Sequence, residues 1–319
     1  MPSSTLDGLK QRVKAGLAWL RSKRRAAALE KSAPHVTVGQ LAADLRRLGV
    51  EYGDTLFVHS SLRSLGFVEG GPAAVIAALQ QAVGPNGTLL LPTYYLPGGT
   101  IGATCEMVGY TFDPRVHGTN MGALPAAFLA TPGVQRSIHP THSVSALGRL
   151  AHRLTDDHHR APSVFGAGSP WQRFIEAPQA KVLGLGISMG PVTFYHLLED
   201  SMGDSFPLPV WTEKTYNMSC RDHEGRACAV PVRPFDTTLT QRRIDQKARA
   251  DLRQYFAAEF EQVGLKTNGQ VGEGQSWIIP GRAFLDHLRL LASQGITIYA
   301  TSDELAARPV NGAGRVASR

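Results

Sequence analysis

His196 and Glu199 stand three residues apart in the stretch Pro191-Val-Thr-Phe-Tyr-His-Leu-Leu-Glu-Asp200, and Thr193 lies three residues before the histidine. On a helix that spacing places all three side chains on one face. An imidazole beside a carboxylate can act as a general base, with the acid fixing its tautomer and stabilising the imidazolium as it forms. The same pattern can ligate iron in helical bundles, but that needs a second copy on another helix, and none is present. A histidine satisfied within a core is the third option that the spacing leaves open.

Other clusters invite chemistry. In His139-Pro-Thr-His142 two imidazoles three residues apart could bind zinc. With Arg136 and Ser143 nearby, the same loop could instead hold a phosphate or a carbonyl through charge-assisted hydrogen bonds. Cys220, His223 and Cys228 resemble metal ligands, yet two thiols and one imidazole leave a tetrahedral site incomplete, so no metal is expected. Gly184-Leu-Gly186-Ile-Ser-Met-Gly190 is one residue too long for a dinucleotide fingerprint and lacks the acidic residue that would hold a ribose. No Gly-x-x-x-x-Gly-Lys phosphate loop occurs.

The elements that must position these residues are readable in outline. Thr37-Val-Gly-Gln40 forms a capping box, and the helix it starts should end at Gly49. Apolar runs at 55–59 and 88–92 predict buried strands, separated by a helix from Gly70-Gly71-Pro72 to Gly84. Strand, helix, strand in that order implies a parallel crossover. Residues 93–120 read as a long loop of the kind that carries function. A helix near 122–130, a strand near 143–147, a short helix capped by Ser169-Pro170, a central strand over 181–187 and a helix over 191–202 follow. Residues 216–220 and 227–232 flank Asp222-His-Glu-Gly225 as an antiparallel hairpin. Helices are expected over 240–263 and 284–293, and a last strand over 296–300. The fold class is therefore α/β: a mixed, largely parallel central sheet flanked by helices, with the hairpin as an insertion. No internal repeat or low-complexity block is visible.

The chain has 319 residues, 43% hydrophobic and 18% charged, which fits a globular core and excludes disorder or coiled coil. No run of 18 apolar residues occurs, so stable membrane insertion is not expected. Three cysteines form a sparse, odd set, and the start lacks a secretory pattern; together they point to the cytoplasm. The net charge of +7 is concentrated at one end, because residues 1–31 carry eight lysines and arginines against two acids. Leu6, Leu9, Val13, Leu17 and Leu20 recur at helical spacing there, so residues 1–34 read as a basic amphipathic extension. It could pack on the body or on a second subunit of a homodimer, or serve as a binding module for anionic lipid or nucleic acid. The body, residues 35–307, is nearly neutral and reads as one domain with no nucleic-acid partner; residues 308–319 form a loose tail.

Six stretches in chain order resemble the aminoglycoside 3-N-acetyltransferase family, which has the antibiotic N-acetyltransferase fold. They are His59-Ser-Ser-Leu-Arg-Ser-Leu-Gly66, Gly84-Pro-Asn-Gly-Thr-Leu-Leu-Leu-Pro-Thr93, Arg136-Ser-Ile-His-Pro-Thr-His-Ser143, Phe165-Gly-Ala-Gly-Ser-Pro170, Lys181-Val-Leu-Gly-Leu-Gly186 and Thr193-Phe-Tyr-His-Leu-Leu-Glu199. The resemblance spans roughly residues 38–240 and implies transfer of an acetyl group from acetyl-coenzyme A, the co-substrate, to an amine of an aminoglycoside or related amino sugar. His196 would be the base, oriented by Glu199 or by Asp236, with Thr193 and backbone N–H groups stabilising the oxyanion. Ser60, Ser61, Leu62 and Arg63 resemble the cofactor loop, and Arg136 and Ser143 would add further contacts. A polycationic acceptor calls for a cleft rich in carboxylates, whereas Glu106 and Asp113 stand nearly alone in the 93–120 loop. A biosynthetic amine, such as a cell-surface amino sugar or a secondary metabolite, is the competing acceptor.

Overall fold

The computed structural model describes residues 35–308 and 310; the basic extension of residues 1–34 and residues 309 and 311–319 of the tail lie outside the described residues. Twelve strands follow in order among the described residues. The first six are β1 (His35–Val36), β2 (Thr55–Ser60), β3 (Phe67–Val68), β4 (Thr88–Pro92), β5 (Thr111–Phe112) and β6 (Gln135–Arg136). The rest are β7 (Val144–Gly148), β8 (Ala180–Leu185), β9 (Tyr216–Arg221), β10 (Ala227–Val232), β11 (Thr267–Val271) and β12 (Gly274–Pro280).

Seven of them build the main sheet, in the order β11-β12-β8-β2-β4-β7-β6. The three central strands β8, β2 and β4 run parallel, and all pairings outside them in this sheet are antiparallel. The centre is buried on both faces, as parallel strands must be when helices cover each side. Alternation along the strands sends Phe57, Leu90 and Val182 to one core, and Leu56, Val58, Leu89, Leu91, Leu183 and Leu185 to the other. Helices Val38–Leu48 and Gly71–Val83 cover the second face through Leu41, Leu45, Val75 and Leu79. Helices Pro170–Ile175, His196–Met202, Ala250–Gln262 and Gly281–Ser293 cover the first, where Phe284 packs among Phe194, Tyr195 and Phe260. Strands β9 and β10 form the expected hairpin; with β5 alongside, it makes a three-stranded sheet over a satellite core of Phe112, Ile138, Met218, Cys220, Val230 and Val232. Among the described residues no helix is long and apolar enough to cross a membrane.

Three local expectations fail for tertiary reasons. The 93–120 loop contains a short helix, Ile101–Cys105, capped by the Thr100 hydroxyl. The helix expected over 240–263 begins only at Ala250. Before it, the carbonyls of Arg242, Ile244, Gln246 and Lys247 accept from the guanidinium groups of Arg249 and Arg253, so those acceptors serve side chains rather than a helical ladder. The strand expected over 296–300 is a buried turn in which Ala300 N donates to Thr297 O, at 3.0 Å. The strand that flanks β8 is instead β12, and its Trp277 fills the space over Gly184: a Cβ there would lie 2.0 Å from the indole.

Candidate active site

The carboxyl ends of parallel strands share one edge of a sheet, and that edge is where open α/β sheets bind ligands. Here β2 ends at Ser60, β4 at Pro92 and β8 at Leu185. Antiparallel β7 starts opposite Pro92, at Val144, so it delivers Thr141, His142 and Ser143 to the same edge.

His196 arrives at this edge through a sharp exit from β8. The chain turns at Gly186 in the left-handed region (φ +66°), where a Cβ would press within 2.9 Å of Ser64 Cβ and 3.1 Å of Ser61 O. A short turn, Thr193–Tyr195, leads into helix His196–Met202. Phe194, Tyr195, Leu197 and Leu198 are buried around His196 and fix the backbone, while the imidazole keeps 13% exposure. One turn on, Glu199 is 2% exposed and its Oε2 lies 2.9 Å from His196 Nδ1. Its other oxygen accepts from Tyr299 Oη at 2.6 Å. Burial and the adjacent carboxylate hold the Tyr299 phenol well above its ordinary pKa, so it remains a donor. With Nδ1–H donated to Glu199, His196 presents a lone pair at Nε2. Phe235 (ring centroids 4.5 Å) and Phe165 (5.7 Å) wall the imidazole, and Trp211 stacks on Phe235 at 4.3 Å.

Of the two carboxylates considered for orienting His196, the geometry selects Glu199. Asp236 instead accepts from Thr238 N and Oγ1, both at 2.8 Å, which cap a turn and hold its carboxyl below the usual range. Its neighbour Phe235 is the residue of that segment that touches His196. Thr193 lies against the buried Tyr94 hydroxyl.

Ser60, Ser61, Leu62 and Arg63 form the loop after β2. Ser61 N donates to Leu185 O at 2.9 Å and its hydroxyl accepts from Ser64 Oγ at 3.0 Å, so the loop is tied to the end of β8. Arg63 is exposed. Gly186 packs against this loop, where a Cβ would meet Ser64 and Ser61 O, just as Gly184 makes room for Trp277 and Gly190 for Arg253.

Arg136 and Ser143 do not join that loop. Arg136 is 5% exposed and donates to Ser143 Oγ, Thr93 O, Gly118 O and His117 O, with its guanidinium also 5.0 Å from the Phe112 ring. Ser143 Oγ donates in turn to Thr93 O at 2.9 Å. Burial lowers the Arg136 pKa to about 10, so it remains a cation, but one spent on joining the 93–120 loop to the sheet. Arg136→Lys should cost about 2–3 kcal/mol, since fewer donors leave buried carbonyls unpaired, while leaving the KM for acetyl-coenzyme A unchanged. Urea unfolding and steady-state kinetics check both halves.

Among the described residues the suspected metal ligands are not gathered into one site. His139 Nδ1 accepts from the backbone N–H groups of Thr141 and His142, and Cys220 pairs across the hairpin with Cys228 as a free thiol. Burial holds His139 and His142 neutral, well below the ordinary pKa. Among the described residues no group of three or more His, Cys, Asp or Glu side chains is placed to hold a metal.

Tyr299 and Phe235 escape the sequence patterns, and Phe165 stood in a matching stretch without a role. For Tyr299 one signal existed: a hydroxyl within the apolar run Ile296–Ala300 must find an acceptor once buried.

The chain matches the aminoglycoside 3-N-acetyltransferase family over residues 57–292. It is 32% identical to the aminoglycoside N(3)-acetyltransferase III of Serratia marcescens over 252 residues, which is 76% of this chain and 91% of that one. It is 37% identical over 184 residues to aminoglycoside N(3)-acetyltransferase VIII of Streptomyces fradiae, covering 54% and 63% of the two chains. Among solved structures, AAC-IIIb in a binary complex with CoASH superposes with a TM-score of 0.69 at 27% identity, over 84% of this chain and all of that one. AAC-VIa bound to sisomicin gives 0.64 at 27% identity, over 79% and 96%. With the matched region running through nearly every element that builds the sheet edge, the chain belongs to the aminoglycoside 3-N-acetyltransferase family, whose members are acetyl-coenzyme A-dependent N-acetyltransferases.

Proposed function

We propose that this protein transfers the acetyl group of acetyl-coenzyme A directly to an amine of an aminoglycoside or related amino sugar, with His196 as general base. The observation that carries the reading is the chain Tyr299–Glu199–His196 at the carboxyl edge of the sheet. A protonated amine has no lone pair, so it first gives one proton to solvent, and Nε2 of His196 removes a second as the nitrogen attacks the thioester carbonyl carbon. The C–N bond forms, the carbonyl electrons move to oxygen, and their return expels the coenzyme A thiolate, which takes up the proton from the imidazolium. Glu199 stabilises that imidazolium, and Tyr299 positions Glu199. Thr193 and the N–H groups of its turn are the oxyanion donors in this reading. Ser60, Ser61, Leu62 and Arg63 would hold the coenzyme.

One feature favours an acceptor with few amines. Asp113 and Glu106 of the 93–120 loop are engaged, by Arg115 and Tyr216, and Asp245 is paired with Arg243. A biosynthetic amino sugar therefore stands beside the aminoglycosides as acceptor.

The test is thiol release from acetyl-coenzyme A with a panel of aminoglycosides and simple amino sugars, each product weighed by mass spectrometry. The expected result is the gain of one acetyl group on at least one amine. If no amine stimulates thiol release above the buffer rate, the proposal is wrong.

A further inference from the structure

The reaction as written leaves unused a second imidazole at the same edge. His142 immediately precedes the Ser143 that leads into β7 and is 3% exposed. Its ring stands edge-on to Tyr94 at 4.8 Å, to Phe165 at 5.2 Å and to Phe235 at 6.5 Å. Phe165 and Phe235 are the two rings that pack on His196, so the two histidines border one aromatic wall.

The hydrogen bonds around His142 fix where its proton sits. Thr141 Oγ1 lies 2.9 Å from His142 Nδ1 and 3.4 Å from His139 Nδ1. The latter nitrogen already accepts two backbone N–H groups, at 3.3 and 3.1 Å. The Thr141 hydroxyl therefore donates to His142 Nδ1, and the single hydrogen of the neutral ring is carried by Nε2. That nitrogen has no hydrogen-bond partner among the described residues and, unlike Nε2 of His59, is not sealed from solvent.

We propose that His142 Nε2–H is an acceptor-recognition donor, hydrogen-bonded to a hydroxyl or ring oxygen of the amine-bearing sugar while its amino group faces His196. Position separates this role from coenzyme binding. The coenzyme loop follows β2, the base follows β8, and His142 enters beside β4 on the opposite side of β2, roughly 10 Å away at ordinary strand spacing. A neutral donor suits this place, because an imidazolium there would repel an incoming ammonium. The proposal rests on the acetyl-transfer reading and adds to it the requirement for an oxygen on the acceptor.

Steady-state kinetics on the best amine of the panel test it, using two variants. His142→Phe keeps the aromatic packing and removes the donor; His142→Gln retains a side-chain N–H. The expected result is a rise of about tenfold in the amine KM for His142→Phe, the loss of one hydrogen bond, largely restored in His142→Gln. The kcat and the acetyl-coenzyme A KM should move by less than about threefold, the signature of lost ground-state and transition-state binding alike. If His142→Phe does not fold, deoxy analogues of the acceptor on the wild-type enzyme make the same measurement, and one of them must lose about tenfold in KM. An unchanged amine KM, equal losses in both variants, or a fall confined to kcat overturns the proposal. Absence of acetyl transfer by the wild type to any amine is a different outcome, which removes the acetyl-transfer reading and this inference with it.

Discussion

His196→Ala lowers amine-dependent thiol release by a factor of about 10²–10⁴, the range expected when a positioned general base is lost. Glu199 holds the imidazole at the sheet edge with no hydrogen-bond partner at Nε2 among the described residues, and an amine nitrogen forming an amide must give up a proton as it attacks. The deletion also leaves Glu199, 2% exposed, with Tyr299 as its remaining side-chain partner, so a stability loss must be separated from a catalytic one. His196→Asn, closer in volume and still able to donate to Glu199, serves that purpose. It should melt near the wild type and show the same kinetic loss. Added imidazole should restore part of the rate in the alanine variant, because the vacated space borders the aromatic wall of Phe165 and Phe235. A folded His196→Ala variant that retains more than about a tenth of the wild-type rate would remove the base from the mechanism.

Glu199→Gln is nearly isosteric and is expected to cost about 10³–10⁴ in kcat, by analogy with loss of the acid in other base–acid pairs. The glutamine amide can donate to Nδ1, which drives the ring hydrogen to Nε2 and turns the base into a donor. It also removes the charge that stabilises the imidazolium. Tyr299→Phe should lose much less, since it leaves the carboxylate in place and frees only its outer oxygen. The ordering of the two losses is therefore the diagnostic: kcat measured at saturating amine and acetyl-coenzyme A should fall far more in Glu199→Gln than in Tyr299→Phe. Equal losses would mean that the carboxylate acts only by packing. Asp236→Asn, in contrast, changes a turn cap and belongs to neither class.

Much of the site's scaffold was legible because it is local. The Thr37–Gln40 capping box and the left-handed Gly49 cap stand where the residue types require, and β2, β4, β8 and the β9–β10 hairpin lie within a residue or two of their apolar or alternating runs. Strand β12 was missed because its Gly274–Pro280 run follows a polar partner, β11, and draws its burial from pairing with β8. The failed strand at 296–300 shows the converse: its apolar residues are buried, but by contacts in a turn. Apolar content reports burial and leaves the backbone's partners open.

For the candidate site, the sequence by itself placed His196 and Glu199 within reach of each other on one helical face, and the tertiary structure decided between Glu199 and Asp236. The structure put the loop after β2 beside the turn after β8, by pairing the two strands in parallel so that they end at one edge. Only the tertiary structure decided that Tyr299, one hundred residues away, completes the chain, and that Arg136 is a buried strut between the 93–120 loop and the sheet. The physical reason is one of range. A charge or a hydroxyl carries no record of which distant carbonyl or carboxylate will satisfy it, and that choice is made when packing brings the two together and excludes water.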